Sequence, residues 1–209
     1  MLKTGIAFCL AILLPLSASA AEQEWRFRVF LDNKEIGTHD FVIQQREDGL
    51  RVKSQADFEY KLLFVKLYDY KHETVETWSG NCLTSIESRT DANGKQYEVS
   101  GVLEHDRFVL RGSSGVEELP LCNMTFAYWN PAFLEQDRLI NVQNGDMVDV
   151  VVSAPERVEI MVRGSLRKAF RYRLQAGEME IELWYSENNE WLALESEARG
   201  GRRLRYELI

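Results

Sequence analysis

Residues 67 to 78, LYDYKHETVETW, alternate between two kinds of side chain. One set is charged or polar and includes Lys71 and Glu73, whereas the other places His72 and Glu76 four residues apart among aromatic rings. A histidine and a carboxylate on one face could act as a base and its orienting group, or could hold the polar end of a bound molecule. The interleaved set consists of Tyr68, Tyr70, His72, Thr74, Glu76 and Trp78.

A second aromatic cluster, Tyr128 and Trp129, stands directly before Asn130-Pro131. Because Asn caps helices and Pro suits their first turn, we expect one short helix at about residues 131–138. Such a helix would be a lid over the end of a β core or a plug that fills it. The predicted ligand-binding residues are Tyr68, Tyr70, His72, Glu76, Trp78, Tyr128 and Trp129.

Recognised catalytic and metal-binding motifs are missing from the sequence. The three histidines, His39, His72 and His105, recur 33 residues apart but form neither H-x-H nor H-E-x-x-H. Gly112-Ser113-Ser114-Gly115 is not the G-x-S-x-G motif of serine hydrolases, and no phosphate-binding or dinucleotide fingerprint occurs. We therefore assign no catalytic residue, no metal and no cofactor, and expect His105 to be exposed at a turn.

The elements that position these residues are predicted to be short strands. Alternating runs are separated by turn residues, and Asn93-Gly94 and Asn144-Gly145 are strong hairpin signals. We count about twelve or thirteen strands joined by loops of two to five residues. The sequence thus predicts an all-β protein, an antiparallel meander that forms a barrel or a strongly curved half-barrel with one short helix. Residues 21–209 are expected to form a single domain.

Charged residues identify the outer face of each strand, since Arg, Lys and Glu are rarely buried unless paired. Arg171 and Arg173 alternate with apolar residues, and so do Glu180 and Glu182; the two pairs are expected to form a ladder of salt bridges in solvent. By the same argument the charged set around Lys71 faces water, and the aromatic set with His72 and Glu76 faces inward. His39 shares a face with Phe41 and Ile43, which predicts an inward position for it as well.

The first twenty residues have the features of a cleavable signal peptide: a short positive start, an apolar run and Ala18-Ser19-Ala20. Its removal leaves 209 − 20 = 189 residues, and the loss of Lys3 takes the formal charge from −8 to −9. A net negative chain without a basic cluster argues against nucleic acid. Export predicts a periplasmic protein in which Cys82 and Cys122 form a disulfide. Short strands dense in charge argue against an integral membrane barrel.

Several segments carry a resemblance to a known family. They are VFLDNKEIGTHDF, YDYKHETVETW, Tyr128-Trp129-Asn130-Pro131 and IELWYSENNEWLALESEARGGRRLRYEL. Together they resemble a family of uncharacterised exported bacterial proteins known as a domain of unknown function, which implies no activity. In outline the meander is also similar to lipoprotein carriers of the LolA and LolB type, half-barrels that shield acyl chains; this likeness is one of architecture alone.

Three hypotheses for function follow. The first is a periplasmic binding or carrier protein for an apolar or amphipathic ligand, such as a lipid, held in an aromatic-lined interior. The second is a non-catalytic accessory module of the envelope with a filled core, in which His72 and Glu76 bond to each other and a partner protein binds the sheet edge. The third is a hydrolase-type enzyme that uses His72 and Glu76 as base and orienting group.

Overall fold

Alternating apolar residues and glycine-containing turns produce a chain built almost entirely from strands. The structure, a computed structural model, describes residues 22–62, 65–198 and 200–209. The expected signal peptide, residues 1–20, lies outside the described residues. The strands are β1 (Glu22–Leu31), β2 (Lys34–Arg46), β3 (Gly49–Leu62), β4 (Val65–Ser79), β5 (Cys82–Ala92), β6 (Lys95–Glu104), β7 (Arg107–Gly112), β8 (Gly115–Leu119), β9 (Arg138–Ile140), β10 (Met147–Val152), β11 (Glu156–Val162), β12 (Ser165–Ala176), β13 (Met179–Ser186), β14 (Trp191–Ala198) and β15 (Arg202–Leu208).

All of these strands belong to one antiparallel sheet. The order runs from β8 through β7, β6, β5, β4, β3 and β2 to β1, and continues with β15, β14, β13, β12, β10 and β9; β11 pairs with the same edge of β12 as β10. The all-β meander is therefore confirmed. Its described part has fifteen strands rather than twelve or thirteen. Four of them, β7 to β10, have only three to six residues and show little alternation to count.

The sheet curls until its two ends approach each other, but strand pairing does not close it between the described strands β8 and β9. The backbone N–H of Ser113, in the β7–β8 turn, donates to the carbonyl oxygen of Asn144 at 2.7 Å. At this seam Gly112 lies against Gly145, and a Cβ on Gly112 would meet the Asn144 oxygen at 2.5 Å. Glycine is required here because the two backbones approach so closely.

The short helix is a 3-10 helix at Pro131–Glu135 and ends earlier than the expected residue 138. Asn130 caps it as expected, since its side-chain oxygen accepts from the Ala132 N–H at 3.2 Å. The helix ends because Gln136 is extended, and β9 then begins at Arg138. The helix thus has the predicted start but is three residues shorter.

The segment from Cys122 to Gln136, called here the plug segment, packs on the inner face of the sheet. Its buried residues include Met124, Ala127 and Phe133. It contacts both halves of the sheet: Trp129 packs edge-to-face on Trp78 of β4, with ring centroids 5.5 Å apart, and Tyr128 packs on Trp191 of β14 at 5.3 Å. Of the two sequence-based alternatives, the structure has the plug and not the lid, and much of the interior is filled by protein.

The outer face carries the expected salt bridges with one difference. Arg173 pairs with Glu182 at 3.1 Å, and Arg171 pairs with the same carboxylate at 3.6 Å. Glu156 of β11, rather than Glu180, completes the cluster by pairing with both arginines. The register explains this, because β12 lies between β13 and β11, so Glu156 stands directly opposite Arg171. Solvent-exposed pairs of this kind contribute little to stability.

Candidate functional site

The inner face of β4 carries the polar residues that the alternation predicts. His72, Thr74, Glu76 and Trp78 are buried, whereas Lys71 and its charged neighbours point outward. His72 and Glu76 each keep only 5 % of their surface exposed. The prediction of an inward aromatic and polar face is therefore correct. A strand positions these side chains firmly, because β4 is paired with β3 on one side and, from Tyr70 to Ser79, with β5 on the other.

Strand register places two histidines in one row across the sheet. His39 of β2 stands opposite Ala56 of β3, and Ala56 stands opposite His72 of β4. Because neighbouring strands are about 4.8 Å apart, the two histidine Cα atoms lie roughly 10 Å apart with only a methyl group between them. Thr90 of β5 continues the row. The inward position expected for His39 is confirmed by its contacts, since it stacks on Phe41 at 4.2 Å.

Both ring nitrogens of each histidine already have partners. His72 Nδ1 is 2.8 Å from the Thr90 hydroxyl and its Nε2 is 2.6 Å from the Thr74 hydroxyl. His39 Nδ1 is 3.2 Å from the Tyr206 hydroxyl and its Nε2 is 2.7 Å from that of Ser54. Each of the four ring nitrogens is therefore hydrogen-bonded to a protein hydroxyl group.

Burial keeps the two rings neutral. It lowers the pKa of His39 to about 3, with a further contribution from the nearby His72, and it lowers the pKa of His72 to about 4. Charging either ring would place a cation in a site where its direct hydrogen-bond partners are hydroxyl groups rather than carboxylates. At neutral pH the two histidines therefore act as neutral hydrogen-bonding groups.

Glu76 has a separate set of partners. The Trp78 indole N–H donates to Glu76 Oε2 at 3.1 Å, and the Thr125 hydroxyl of the plug segment also hydrogen-bonds to the carboxyl group. Burial raises the pKa of Glu76 to about 7, although both hydrogen bonds oppose this rise. The expectation that His72 and Glu76 hold each other is wrong. Four residues on an extended strand span about 13 Å, and Thr74 lies between them.

A cavity of about 260 Å³ opens between this face of β4, the plug segment and the strands β13 to β15. His39, His72 and Glu76 line it, together with apolar and aromatic residues. Of the predicted ligand-binding residues, the cavity is lined by Tyr70, His72, Glu76, Tyr128 and Trp129. The structure thus brings five of the seven together.

The other two predicted residues have different surroundings. Trp78 is completely buried outside the cavity lining, where its indole N–H donates to Glu76 and its ring packs against Trp129. Tyr68 does not line the cavity; its ring stacks on Tyr70, with centroids 6.1 Å apart. Alternation identifies which residues point inward, but a strand longer than the cavity also places residues beyond its ends.

Tyr206 and Thr125 are cavity residues that the sequence did not reveal. Tyr206 shares its face of β15 with the apolar Leu204 and Leu208, so it could have been placed inside but not beside His39. Burial raises the pKa of Tyr70 and of Tyr206, and the neighbouring Tyr128 adds to both shifts. The phenol groups of these three residues, from β4, β15 and the plug segment, therefore lie near one another.

The predicted disulfide joins Cys82, at the start of β5, to Cys122, with the sulfur atoms 2.03 Å apart. It anchors the plug segment beside the inner face of β4, and the Leu83 N–H donates to the Asn123 carbonyl next to it at 3.0 Å. Within the part of the chain that the structure describes, no cluster of three metal-ligating side chains occurs. The described residues also include no helix long and apolar enough to cross a membrane.

Comparison with known proteins identifies the family. The sequence model for a domain of unknown function, DUF6134, matches residues 27–209. The chain belongs to the DUF6134 family. The resemblance to an uncharacterised family is thereby confirmed. No curated protein matches the chain.

A solved structure from Brucella abortus, described as a beta-barrel-like protein of domain of unknown function DUF1849, is similar to this DUF6134 chain. The two have 12 % sequence identity and a TM-score of 0.60, and the match covers 89 % of this chain and 94 % of the other. At this identity the likeness shows the fold alone. The outline similarity to LolA and LolB carriers is not confirmed by these comparisons.

Proposed function

We propose that this DUF6134 protein is an exported, periplasmic binding protein that holds one small apolar or amphipathic molecule in its interior. The observation that carries the proposal is the cavity of about 260 Å³, in which an apolar lining surrounds a few convergent polar groups. This combination is typical of small-molecule sites, where apolar contact provides affinity and a few polar groups fix orientation. The signal-peptide pattern and the disulfide support export.

The size of the cavity limits the ligand. Typical ligand pockets measure about 300–1,000 Å³, so a cavity of about 260 Å³ lies just below that range. It corresponds to the volume of about nine water molecules in the liquid. A single short apolar chain or one aromatic ring with a polar substituent fits this volume, whereas the several acyl chains of a lipoprotein do not. Met179 also lines the cavity and is 42 % exposed.

The geometry favours binding over catalysis. A nucleophile-activating histidine hydrogen-bonds to the nucleophile through one ring nitrogen and to an orienting carboxylate through the other. His72 instead bonds to threonine hydroxyls through both nitrogens. Glu76, the expected orienting group, bonds to Trp78 and Thr125. The pair is therefore not assembled for the hydrolase-type chemistry that the sequence suggested.

Native mass spectrometry of the protein purified from periplasm without detergent tests the proposal. We expect a discrete added mass that is removed by organic extraction. Ala127→Leu adds bulk at a buried residue that lines the cavity and should abolish the added mass. The matched control Ala132→Leu lies on the plug segment outside the cavity lining and should keep it. An apo mass for the wild-type protein, with no ligand found in a small-molecule screen, would overturn the proposal and favour the accessory-module hypothesis.

A further inference from the structure

Glu76 is a charged lining residue with hydrogen-bonding capacity left for a ligand. An ionised carboxylate has about four lone-pair positions, and the described donors to Glu76 are Trp78 and Thr125. His39 and His72 have used both ring nitrogens. A carboxylate can only accept, so the ligand group that binds it must be a donor.

The charges around the cavity also favour one kind of ligand. Among the described lining residues, the ionisable side chains are Glu76, two neutral histidines and three tyrosines, with no lysine or arginine. A ligand carboxylate or phosphate would lose its hydration without gaining a cation in return, which is costly in a buried site. A ligand ammonium would donate a charge-assisted hydrogen bond to the Glu76 carboxylate, and such bonds are about twice as strong as neutral ones.

Aromatic rings provide the remaining recognition. The cavity is lined by the rings of Phe41, Tyr70, Phe126, Tyr128 and Tyr206, contributed by β2, β4, the plug segment and β15. Aromatic faces attract organic cations through the ring quadrupole and also bind apolar groups by burial. One carboxylate among several rings is therefore suited to a molecule with a cationic end and an apolar body.

From the free acceptor capacity of Glu76, the lack of lining cations and the aromatic walls, we infer that the ligand is a small primary amine with an apolar or aromatic body, its ammonium group on Glu76. This inference rests on the proposed binding function and specifies its ligand class. The amine keeps its proton and forms no covalent bond.

The inference predicts a distinctive pH dependence. Burial raises the pKa of Glu76 to about 7, so the carboxylate that an ammonium needs is largely protonated at pH 5.5. The other titratable groups that face the cavity do not change charge between pH 5.5 and 8: the pKa values of His39 and His72 are far below this range, and those of Tyr70, Tyr128 and Tyr206 are far above it. An amine should therefore bind about 30-fold more weakly at pH 5.5 than at pH 8, and an alcohol equally at both.

The test uses three probes with the same aromatic body: 2-phenylethylamine, 2-phenylethanol and phenylacetate. Their affinities are measured by isothermal titration calorimetry at pH 8 on the full-length mature protein. We expect the amine to bind at least about tenfold more tightly than the alcohol, with phenylacetate the weakest. Glu76→Gln, which keeps an acceptor for the Trp78 indole, should remove the advantage of the amine and leave the alcohol within about threefold of wild type. Glu73→Gln, on the outer face of the same strand and paired with Lys53, should match wild type.

The possible results distinguish a failure of the amine proposal from a failure of the proposed binding function. Binding of the alcohol or phenylacetate as tight as that of the amine would reject the amine class and leave the binding function intact. An absence of binding for all three probes at millimolar concentration, together with an apo mass of the purified protein, would reject both. The pH dependence in the wild-type protein is a second readout that does not depend on the folding of a variant: equal loss of amine and alcohol affinity at pH 5.5 would overturn the role of Glu76.

Discussion

Replacement of Glu76 by glutamine should make the protein more stable at neutral and alkaline pH. The carboxyl group is buried, its pKa is raised from 4.5 to about 7, and the folded protein therefore prefers the protonated form. This preference contributes stability that is fully present below pH 4.5 and is lost as the pH rises through about 7. Glutamine does not ionise, so the Glu76→Gln protein does not have this loss.

The size of the effect follows from the pKa shift. A rise of 7 − 4.5 = 2.5 pKa units corresponds to about 3 kcal/mol, since one unit is about 1.4 kcal/mol. The difference in unfolding free energy between Glu76→Gln and wild type should increase by this amount between pH 4.5 and pH 8, then stay level. His39 and His72 have lowered pKa values, so their stability contribution is lost as the pH falls below 6.5. Both proteins contain these histidines, so their effect cancels in the difference.

Urea unfolding at five pH values from 4.5 to 8.5, with the disulfide intact, measures this difference. Glu73→Gln is the control, because Glu73 is exposed and its pKa is lowered by the hydrogen bond from Lys53. The difference in unfolding free energy between Glu73→Gln and wild type should be small and should not rise with pH. A constant difference between Glu76→Gln and wild type across the pH range would refute the reasoning, because it would mean that the buried carboxyl titrates as it does in the unfolded chain.

Three further results are expected. Reduction of the disulfide, which closes a loop of 40 residues, should lower the unfolding free energy by about 3–4 kcal/mol in urea titrations with and without reductant; an unchanged midpoint would contradict this. Thr90→Val keeps the shape of the side chain but leaves a nitrogen of His72 unpaired, so it should lower the unfolding free energy by about 1–3 kcal/mol. Thr84→Val, which removes a partly buried hydroxyl bonded to a backbone carbonyl, is the comparison and should lower it by less. Gly112→Ala should push the seam apart and speed hydrogen exchange of the Ser113 amide, and unchanged exchange there would show that the seam does not hold the sheet ends together.

Local alternation was sufficient to predict the inner face of β4. Lys71 and Glu73 belong to the set that faces solvent, and the interleaved set, with His72 and Glu76, then had to face inward. The Asn93-Gly94 signal placed a hairpin turn for the same local reason, since both residues adopt the positive φ angles that such a turn needs. At Asn144-Gly145 the positive φ belongs to Gly145, and the pair lies within the longer connection between β9 and β10.

The partners of these inward residues could not be predicted. His39 bonds to Tyr206, 167 residues away, and His72 bonds to Thr90, 18 residues away. Such contacts depend on strand order and register, which the period of a single strand does not contain. The expected His72–Glu76 contact was wrong because residues on one face of a strand become distant within two steps of the alternation.

The order of strands in the sheet determines when the cavity can form. The strands β1 to β8 pair with their neighbours in sequence, and so do β12 to β15, but β1 pairs with β15 through residues as distant as Phe27 and Leu208, which are 181 positions apart. Long-range pairings form slowly because a large loop must close first. The two meanders, β1 to β8 and β12 to β15, can thus fold independently, and the pairing of β1 with β15 is the late step. The cavity takes Tyr70 and His72 from the first meander and Leu194 and Tyr206 from the second. Neither half contains the whole cavity, so a ligand bound in it would report that the whole molecule has assembled, and would stabilise only that state.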